Sequence, residues 1–263
     1  MTTEQPVARS KPRLLDVFSG AGGAAKGYQR AGFYVVGVDI APQPHYCGDE
    51  FIQGDALAFL GRVASEDFDA IHASPPCQAY TVARRIHGVG DHPDLLAVTR
   101  DLLEATGLPW VIENVPGAPM RPDVICCGLA FGLGVKRHRL FESNRPMWGA
   151  PQCPHGHPGD WVTVFGHTVI GRQHRTHAET GRKQSYIHLS TDRGREAMGI
   201  DWMTRDELSQ AIPPAYTEFI GAQLLDQLTN QRRPDMARIN AHSTTAPRLG
   251  AYRDCDATDG GSE

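Results

Sequence analysis

The stretch "RLLDVFSGAGGAAKGYQRAG", residues 13–32, joins a short apolar run, a glycine-rich turn and a segment of small residues. The apolar run 13–18 is typical of a buried strand, because it is short and ends at a glycine cluster. The residues after it predict a tight turn and then a helix that ends at Gly32, since glycine commonly terminates helices. This stretch therefore predicts the opening strand–turn–helix unit of an α/β fold.

The same alternation continues along the chain. Further strands are predicted at 34–40, 69–74 and 109–115, and helices within 55–64 and 93–107. Strands separated by helices predict an α/β protein with a doubly wound, mostly parallel sheet of the Rossmann-like kind.

Composition limits the classes of protein that remain. The chain has 263 residues, 40% of them hydrophobic, and a net charge of −4. No apolar run approaches the ~18 residues that span a membrane, and the first residues lack the apolar core of a secretory signal. The six cysteines form no regular framework, which favours a reduced, cytoplasmic setting. Because the net charge is negative, any nucleic-acid site must be a local basic patch.

Glycine, polar and acidic residues follow the predicted strands at their carboxyl ends, where sheets of this kind bind ligands. The glycine turn at 18–23 lets a ligand approach the backbone closely, although its spacing is not the G-x-G-x-x-G of pyrophosphate sites. Asp39 lies 19 residues after Gly20, where an acid can accept both ribose hydroxyls. The pair fits a nucleoside such as S-adenosylmethionine. The alternative is a glycine turn that serves helix packing.

Cys77, in "HASPPCQAYT" (72–81), follows two prolines that stiffen the backbone. A nucleophile on a rigid loop is one interpretation, and a core residue or a metal ligand are the others. "CPHGH" at 153–157 is compact enough for a metal site, but no second paired cluster is evident and "CC" at 126–127 lies in an apolar run. We therefore expect no metal.

The assembled pattern resembles the DNA (cytosine-5) methyltransferase family over about 13–143 and again over about 190–228. "LLDVFSGAGGAAKGYQRAGF" is similar to its cofactor loop, "ASPPCQAYT" to its Pro-Cys-Gln catalytic loop and "WVIENVPG" to its Glu-Asn-Val motif. "KRHRLFESN" is similar to its paired-arginine strand, and "AIPPAYTEFIGAQL" to its last helix. These motifs also occur in the family's order.

The resemblance implies a cofactor, a partner and roles for particular residues. Cys77 would add to C6 of a flipped cytosine, and Glu113 would protonate or hydrogen-bond N3. Arg137 and Arg139 would share one side of a strand, one reaching the base carbonyl and the other pairing with a carboxylate. S-adenosylmethionine would lie against Phe18, Ser19, Gly20, Ala21, Gly22, Gly23, Asp39, Ile40, Asp55, Ala56 and Pro75.

Three parts of the sequence depart from the family pattern. Ser74, Pro75 and Pro76 stand where Gly-Phe-Pro usually precedes the cysteine. Ser-Pro-Pro before an aromatic residue would instead resemble an amino-methyltransferase. Val135 replaces a glutamine, and residues 209–212 replace Gly-Asn-Ser-Val beside the cofactor.

Double-stranded DNA is the expected partner of a monomeric protein. Basic, polar loops in 144–190 suit phosphate contact and groove reading, although a solvated loop is the alternative. We expect a catalytic and cofactor-binding domain at 13–143, a target-recognition region at 144–190, returning helices at 191–230 and a disordered tail at 231–263. The predicted DNA-binding residues are Gln78, Arg84, Arg85, Arg172, Arg175, Arg182 and Lys183.

Two other classes of protein remain open. One is a nucleotide-binding enzyme, such as an oxidoreductase, that shares only the sheet, and binding of NAD rather than S-adenosylmethionine would identify it. The other is a DNA-binding protein with an impaired catalytic core, against which the presence of both Cys77 and Glu113 argues.

Overall fold

The computed structural model describes residues 11–77, 80, 94–153, 161–165, 168–176 and 183–232, and side chains within these ranges except at 172–176, 183–187 and 231–232. The large sheet contains β1 (Arg13–Val17), β2 (Tyr34–Asp39), β3 (Glu50–Gln53), β4 (Ala70–Ala73), β5 (Trp110–Asn114), β6 (Val124–Cys127) and β7 (His138–Ser143). A small sheet contains β8 (Val162–Phe165), β9 (Thr168–Thr176) and β10 (Lys183–His188). The helices are α1 (Gly23–Ala31), α2 (Ala56–Leu60), α3 (Leu96–Thr106), α4 (Thr191–Met198), α5 (Arg205–Gln210) and α6 (Pro214–Arg232).

The large sheet has the strand order β3-β2-β1-β4-β5-β7-β6. Its first five strands pair in parallel, and β7 pairs antiparallel with both β5 and β6. The predicted doubly wound, mostly parallel sheet is therefore confirmed. Since β2 and β4 lie on opposite sides of β1, the chain reverses its winding direction there. The crevice at this reversal is where open α/β sheets bind their ligands.

Helices cover both faces of the sheet, because the strands alternate apolar side chains between two cores. Leu14 packs on the face that holds α1 and α6, whereas Leu15 packs on the face that holds α2 and α3. Tyr216, Ile220 and Leu224 of α6 recur at helical spacing and are almost fully buried. Burial of each such side chain contributes about 1.5–3 kcal/mol.

Close contact between α1 and the last helix requires glycine. A Cβ added to Gly23 would lie 2.6 Å from the carbonyl oxygen of Ile212, and one added to Gly221 would lie 2.8 Å from Cβ of Ala31. A side chain at either position would force the backbones apart. The segment before α6 is thereby held against the start of α1.

The small sheet corrects the expectation of loops in the basic segment. β9 pairs antiparallel with both β8 and β10, so "TVIGRQHRT" and "KQSYIH" are strands. The polar side chains of these strands obscured the alternation of apolar residues that would predict them. A parallel bridge between Val135 and Val162 joins this sheet to the segment before β7.

Two helix boundaries also differ from the sequence-based expectation. The second helix ends at Leu60 rather than near 64, and the residue that caps it is glycine, a poor helix former. The last helix runs to Arg232, past the predicted start of the tail, and residues 233–263 lie outside the described part. Among the described helices, none has the length and apolar character needed to cross a membrane.

Candidate active site

The turn after β1 has an unusual backbone. Phe18 has a φ of 59°, the left-handed region that non-glycine residues rarely adopt, and Gly20 and Gly22 have φ values of 49° and 84°. The amide of Gly20 donates to Oδ2 of Asp39 over 2.9 Å, which ties the turn to the end of β2. Strain of this kind at Phe18 is typical of ligand sites.

Several features of this turn fit a nucleoside. The hydroxyl oxygen of Ser19 is buried and has no hydrogen-bond partner in the described part of the chain. A Cβ added to Gly20 or Gly54 would meet no atom of the described residues within 4 Å. Ile40 is an apolar side chain with 71% of its surface exposed, next to Asp39 at the carboxyl end of β2. The exposed side chain of Ile40 suits contact with a planar base, and the carboxylate of Asp39 suits the hydroxyls of a ribose.

Other residues of the predicted cofactor set contact the protein itself. A Cβ added to Gly22 would crowd Cys47, and one added to Gly23 would collide with Ile212. Packing within the protein therefore accounts for both glycines without a ligand. The carbonyl oxygen of Ala21 accepts a 2.9 Å hydrogen bond from the Trp202 indole, which holds the C-terminal region against the turn.

Asp55 and Ala56 lie where β3 gives way to α2. Oδ1 of Asp55 accepts a 2.7 Å hydrogen bond from the amide of Ala58 and so caps the helix, while the carboxylate as a whole is exposed. Ala56 is buried in the core. Asp55 is thus available at the same edge of the sheet as Asp39.

The chain after β4 places Cys77 at the crevice beside β1. Pro75 is buried, and its carbonyl oxygen accepts a 3.0 Å hydrogen bond from the side chain of Asn114 on β5. The carbonyl of Cys77 accepts a 2.9 Å hydrogen bond from the amide of Tyr80. These bonds fix the backbone on both sides of the half-buried thiol.

Glu113, near the end of β5, forms a buried ion pair with Arg139 of β7. Nε of Arg139 lies 2.7 Å from Oε1 of Glu113, and the two side chains are only 11% and 7% exposed. The Nε–H bond of Arg139 falls outside hydrogen-bond geometry, so Oε1 of Glu113 has no hydrogen bond from any described residue despite the short distance. We treat the contact as an ion pair, whose strength depends on distance more than on direction.

Arg137 precedes β7 and is also buried. Its guanidinium donates to the carbonyl oxygens of Val164 in β8 and Ser209 in α5, each over 2.7 Å. Arg137 therefore ties the large sheet to the small sheet and to the C-terminal helices. Its Nε has no partner within the described residues.

Burial and the two arginines act on the same acidic groups in opposite directions. Burial raises the pKa of Glu113, whereas Arg139, Arg137 and a hydrogen bond from Ser74 lower it, and the net shift is upward. Burial likewise raises the pKa of the Cys77 thiol, and Arg139 opposes that shift. The thiolate therefore needs further stabilisation before it can react.

A buried chain of hydrogen bonds leads away from Glu113. Ser74 bonds Glu113, His72 Nε2 lies 2.9 Å from the Ser74 hydroxyl, and His72 Nδ1 lies 2.9 Å from the Tyr28 hydroxyl. Because burial lowers the pKa of His72 to about 3, its ring is neutral at neutral pH. When Ser74 donates to the carboxylate, His72 must donate from Nε2 and accept from Tyr28.

Sequence reasoning missed this chain and also Asp16. Asp16 is a fully buried carboxyl on β1 whose oxygens have no hydrogen-bond partner among the residues that the structure describes, and burial raises its pKa well above the usual range. An acid inside the apolar run "LLDVF" was the available signal. His72 gave a similar signal inside "DAIHAS", but its partners are distant in the sequence.

A separate cavity of about 700 Å³ lies between α1 and α4. Lys26, Arg30, Asp192, Arg195 and Trp202 are among the residues that line it, and none of the predicted site residues does.

Some predicted DNA-binding residues cannot be placed. Gln78, Arg84, Arg85 and Arg182 lie outside the described residues. The backbones of Arg172 and Arg175 on β9 and of Lys183 on β10 are described, but their side chains are not.

The sheet order and the crevice at its reversal point define the fold of S-adenosylmethionine-dependent methyltransferases. The S. pombe Dnmt2 methyltransferase crystal structure aligns with 82% of this chain and 99% of its own, with a TM-score of 0.56 and 14% identity. A prophage-encoded DNA modification methyltransferase of E. coli aligns with 83% of this chain and 99% of its own, with a TM-score of 0.52 and 14% identity. At such identities the likeness establishes the fold.

Part of the sequence matches one family model and several curated relatives. Residues 13–121 match the family model described as C-5 cytosine-specific DNA methylase. The Type II methyltransferase M.AquIA of Picosynechococcus sp. is 30% identical over 40% of this chain and 49% of its own length. The Type II methyltransferase M.XorII of Xanthomonas oryzae pv. oryzae is 28% identical over 50% of this chain and 31% of its own. The predicted resemblance is confirmed, while this chain spans no more than about half the length of these curated relatives.

Proposed function

We propose that this protein is a DNA cytosine-5 methyltransferase, which methylates C5 of a cytosine in DNA at the expense of S-adenosylmethionine. The observation that carries the proposal is the position of Cys77 directly after β4. There the charges of the buried Glu113–Arg139 pair, on β5 and β7, act on its thiol. The match of residues 13–121 to the model of C-5 cytosine-specific DNA methylases supports it.

The cofactor site proposed here lies at the ends of β1 and β2. S-adenosylmethionine supplies an electrophilic methyl group when bound. Asp39 would accept the ribose hydroxyls, and the unpartnered hydroxyl of Ser19 would bond a polar group of the cofactor. Phe18 and Ile40 would pack against the adenine, and Asp55 and Pro75 would complete the site.

Cys77 would act as the nucleophile. A bond from Sγ to C6 of cytosine would break the C5–C6 double bond, and C5 would become electron-rich enough to take the methyl group from the sulfonium of the cofactor, which would leave as the neutral thioether S-adenosylhomocysteine. Once C5 is methylated, loss of its proton and breaking of the Sγ–C6 bond restore the ring and release Cys77. Methylation at C5 requires the Cys77 thiolate only while the cytosine is bound, so a raised thiol pKa in the free protein is compatible with this role.

Glu113 would donate a proton or a hydrogen bond to N3 of the cytosine. Its raised pKa suits this role, because a proton is then available closer to neutral pH. Arg139 holds the carboxyl group from one side, and Ser74 donates to it from another. His72 and Tyr28 would keep Ser74 oriented through the buried hydrogen-bond chain.

Double-stranded DNA would be the partner, and the target base would be flipped out of the helix into the crevice. In this proposal residues 13–143 hold the chemistry, and the region 144–190 with β8–β10 reads the DNA. The C-terminal helices, 191–230, return to the glycine turn and support it. Phosphate contacts would come from the basic residues of β9, β10 and the segment after Cys77.

Trapping of a covalent adduct tests the proposal directly. Bisulfite sequencing of DNA from cells that express the full chain would first identify the methylated site. Duplex DNA with 5-fluorocytosine at that site should then form a denaturant-stable complex in the presence of S-adenosylmethionine, because fluorine at C5 blocks the final elimination.

Two cysteine variants make the test specific. Cys77→Ser should form no complex, whereas Cys47→Ser should form it as the parent does, since serine can keep the hydrogen bond of Cys47 to the Gly22 carbonyl. If Cys77→Ser traps and methylates like the parent, the proposed mechanism is wrong.

A further inference from the structure

Three potential metal ligands lie close together at the edge of the large sheet that β7 and β6 form. Sγ of Cys127, a ring nitrogen of His138 and Sγ of Cys153 all lie within 4.8 Å of one another. Cys127 ends β6, His138 begins β7, and Cys153 belongs to the segment that follows β7. We call these residues the Cys127–His138–Cys153 cluster.

The sheet itself brings two of the three residues together. Cys127 and His138 are directly opposite each other in the antiparallel β6–β7 pair, so their side chains share one face of the sheet. Cys126 and Arg139 form the next opposite pair and therefore share the other face. The cluster thus lies on the face of β7 that does not carry the Glu113 ion pair.

We propose that Cys127, His138 and Cys153 bind a Zn²⁺ ion. Sγ of Cys153 lies 3.6 Å from Nε2 of His138. Bonds of about 2.3 Å from zinc to sulfur and about 2.0–2.1 Å to nitrogen, at a tetrahedral angle, separate the two ligand atoms by about 3.5–3.6 Å. The observed spacing of this pair matches that of two ligands of one tetrahedral metal.

Zn²⁺ is the metal that this donor set favours. Thiolate and imidazole ligands together suit zinc, whereas Mg²⁺ and Ca²⁺ prefer oxygen ligands. A disulfide between Cys127 and Cys153 is the competing arrangement. It would require an oxidant and would leave the convergence of His138 unexplained. Cys127 is 2% exposed, which suits a structural ion rather than a reactive thiol.

The cluster escaped the sequence prediction of no metal because its ligands come from separated stretches. Only Cys153 lies in the "CPHGH" motif, residues 154–157 lie outside the described part, and the proposal does not depend on them. Cys127 was interpreted as part of an apolar run. Strand pairing is what places it beside His138.

A zinc ion here would join three segments of the chain. It would fix the start of β7 against β6 and against the segment at 150–153. His138 lies between Arg137 and Arg139, so the ion would also hold the strand from which both arginines reach the candidate active site. We therefore assign it a structural role that does not depend on the proposed methyltransferase activity.

Metal analysis of the purified full chain tests the proposal. After expression with added zinc and dialysis without a strong chelator, elemental analysis should find about one zinc per chain. Cobalt exchanged into the same protein should give the thiolate charge-transfer bands and the intense visible bands of tetrahedral Co²⁺. This cobalt spectrum requires no variant, so it remains decisive if a substitution impairs folding.

Matched variants assign the ligands. Cys127→Ser, His138→Ala and Cys153→Ser should each lose at least ~90% of the bound zinc, since removal of one of three protein ligands lowers the affinity for the ion steeply. Cys126→Ala, which removes the adjacent thiol on the opposite face, should keep the parent's zinc content.

Three results would overturn the proposal. The first is a parent protein that neither carries zinc nor takes up zinc or cobalt when either is added. The second is full zinc content in all three ligand variants. The third is a metal-free parent in which mass spectrometry finds Cys127 and Cys153 joined by a disulfide.

Discussion

The Arg139 guanidinium and the Glu113 carboxylate face each other across two neighbouring antiparallel strands, 2.7 Å apart and almost wholly buried. A buried carboxylate without a partner would be protonated, and a buried carboxylate with an arginine stays charged more readily. Here burial prevails, so the pKa of Glu113 is raised above its usual value. Because burial favours the protonated form and Arg139 favours the charged form, Glu113 is suited to exchange a proton with a bound base.

Glu113→Gln should therefore reduce turnover far more than cofactor binding. We expect a loss of about 10²-fold or more in the maximal rate, the usual effect of removing a general acid. Affinity for S-adenosylmethionine, measured by calorimetry, should stay near that of the parent. Glu113 lies on β5, whereas the proposed cofactor site is at the ends of β1 and β2. Glu104→Gln, which changes an exposed residue of α3, should keep the parent's turnover. Lost cofactor binding with an unchanged maximal rate would contradict this assignment.

The free protein should hold Cys77 mainly as a thiol at neutral pH. Burial raises the pKa of this thiol, and Arg139 only partly offsets the shift. Alkylation of Cys77 by iodoacetamide, followed by mass spectrometry across pH, should reach its half-maximal rate above the usual ~8.5 for cysteine. Arg139→Gln should move that midpoint higher, since it removes a charge that favours the thiolate. A midpoint below the usual value in the parent would show that the thiol is already activated before DNA binds.

The strand–helix alternation and the crevice could be predicted from the sequence because both have a local origin. Short apolar runs and glycine stops mark β1, β2, β4 and β5. Parallel strands then bring their carboxyl ends to one edge of the sheet. The position of Asp39 relative to the glycine turn followed from that rule without any knowledge of side-chain contacts.

Contacts between distant residues could not be predicted in this way. The hydroxyl of Tyr28 meets His72 across 44 positions of sequence, and no periodicity indicates that pairing. The antiparallel partners Cys127 and His138 are equally hidden, because register is a property of two strands together. The strands β9 and β10 were predicted as loops for a different reason, because their polar composition obscured the alternation.

Asp16 should make the protein less stable as the pH rises. Burial is the largest cause of its raised pKa, and the charges of Asp39 and Glu113 add to the shift. The folded state therefore keeps the proton at pH values where the unfolded chain releases it. The stability associated with that proton is fully present below the unfolded pKa of ~3.9 and is lost as the pH rises through the folded pKa.

Asp16→Asn isolates this effect, because asparagine has a similar shape and does not ionise. Relative to the variant, the parent should lose about 1.4 kcal/mol of unfolding free energy per pH unit between ~4 and the folded-state pKa of Asp16. Urea unfolding at several pH values measures both curves. Parallel curves over this range would contradict the prediction.

The basic residues Arg172, Arg175, Arg182 and Lys183 concentrate positive charge in a protein that is acidic as a whole. The register pairs Arg172 with Tyr186 and Arg175 with Gln184, so the two arginines occupy separate positions along the β9–β10 ladder. We expect at least one arginine to contact phosphate and at least one to read a base edge. The two roles have different signatures. Removal of a phosphate contact should weaken binding to all sequences alike and lower the salt slope by about one unit.

Removal of a base contact should instead cost about 1–3 kcal/mol and relax the preference at one position of the target. Single alanine variants of Arg172, Arg175, Arg182 and Lys183 would be measured for DNA binding across salt and for methylation of a randomised-site library. Arg62→Gln serves as the charge-matched control, because Arg62 follows the end of α2 that points away from the crevice. It should match the parent in salt slope and in site preference. If the four variants also bind and discriminate like the parent, the small sheet is not the recognition element, and Arg84 and Arg85 become the residues to test.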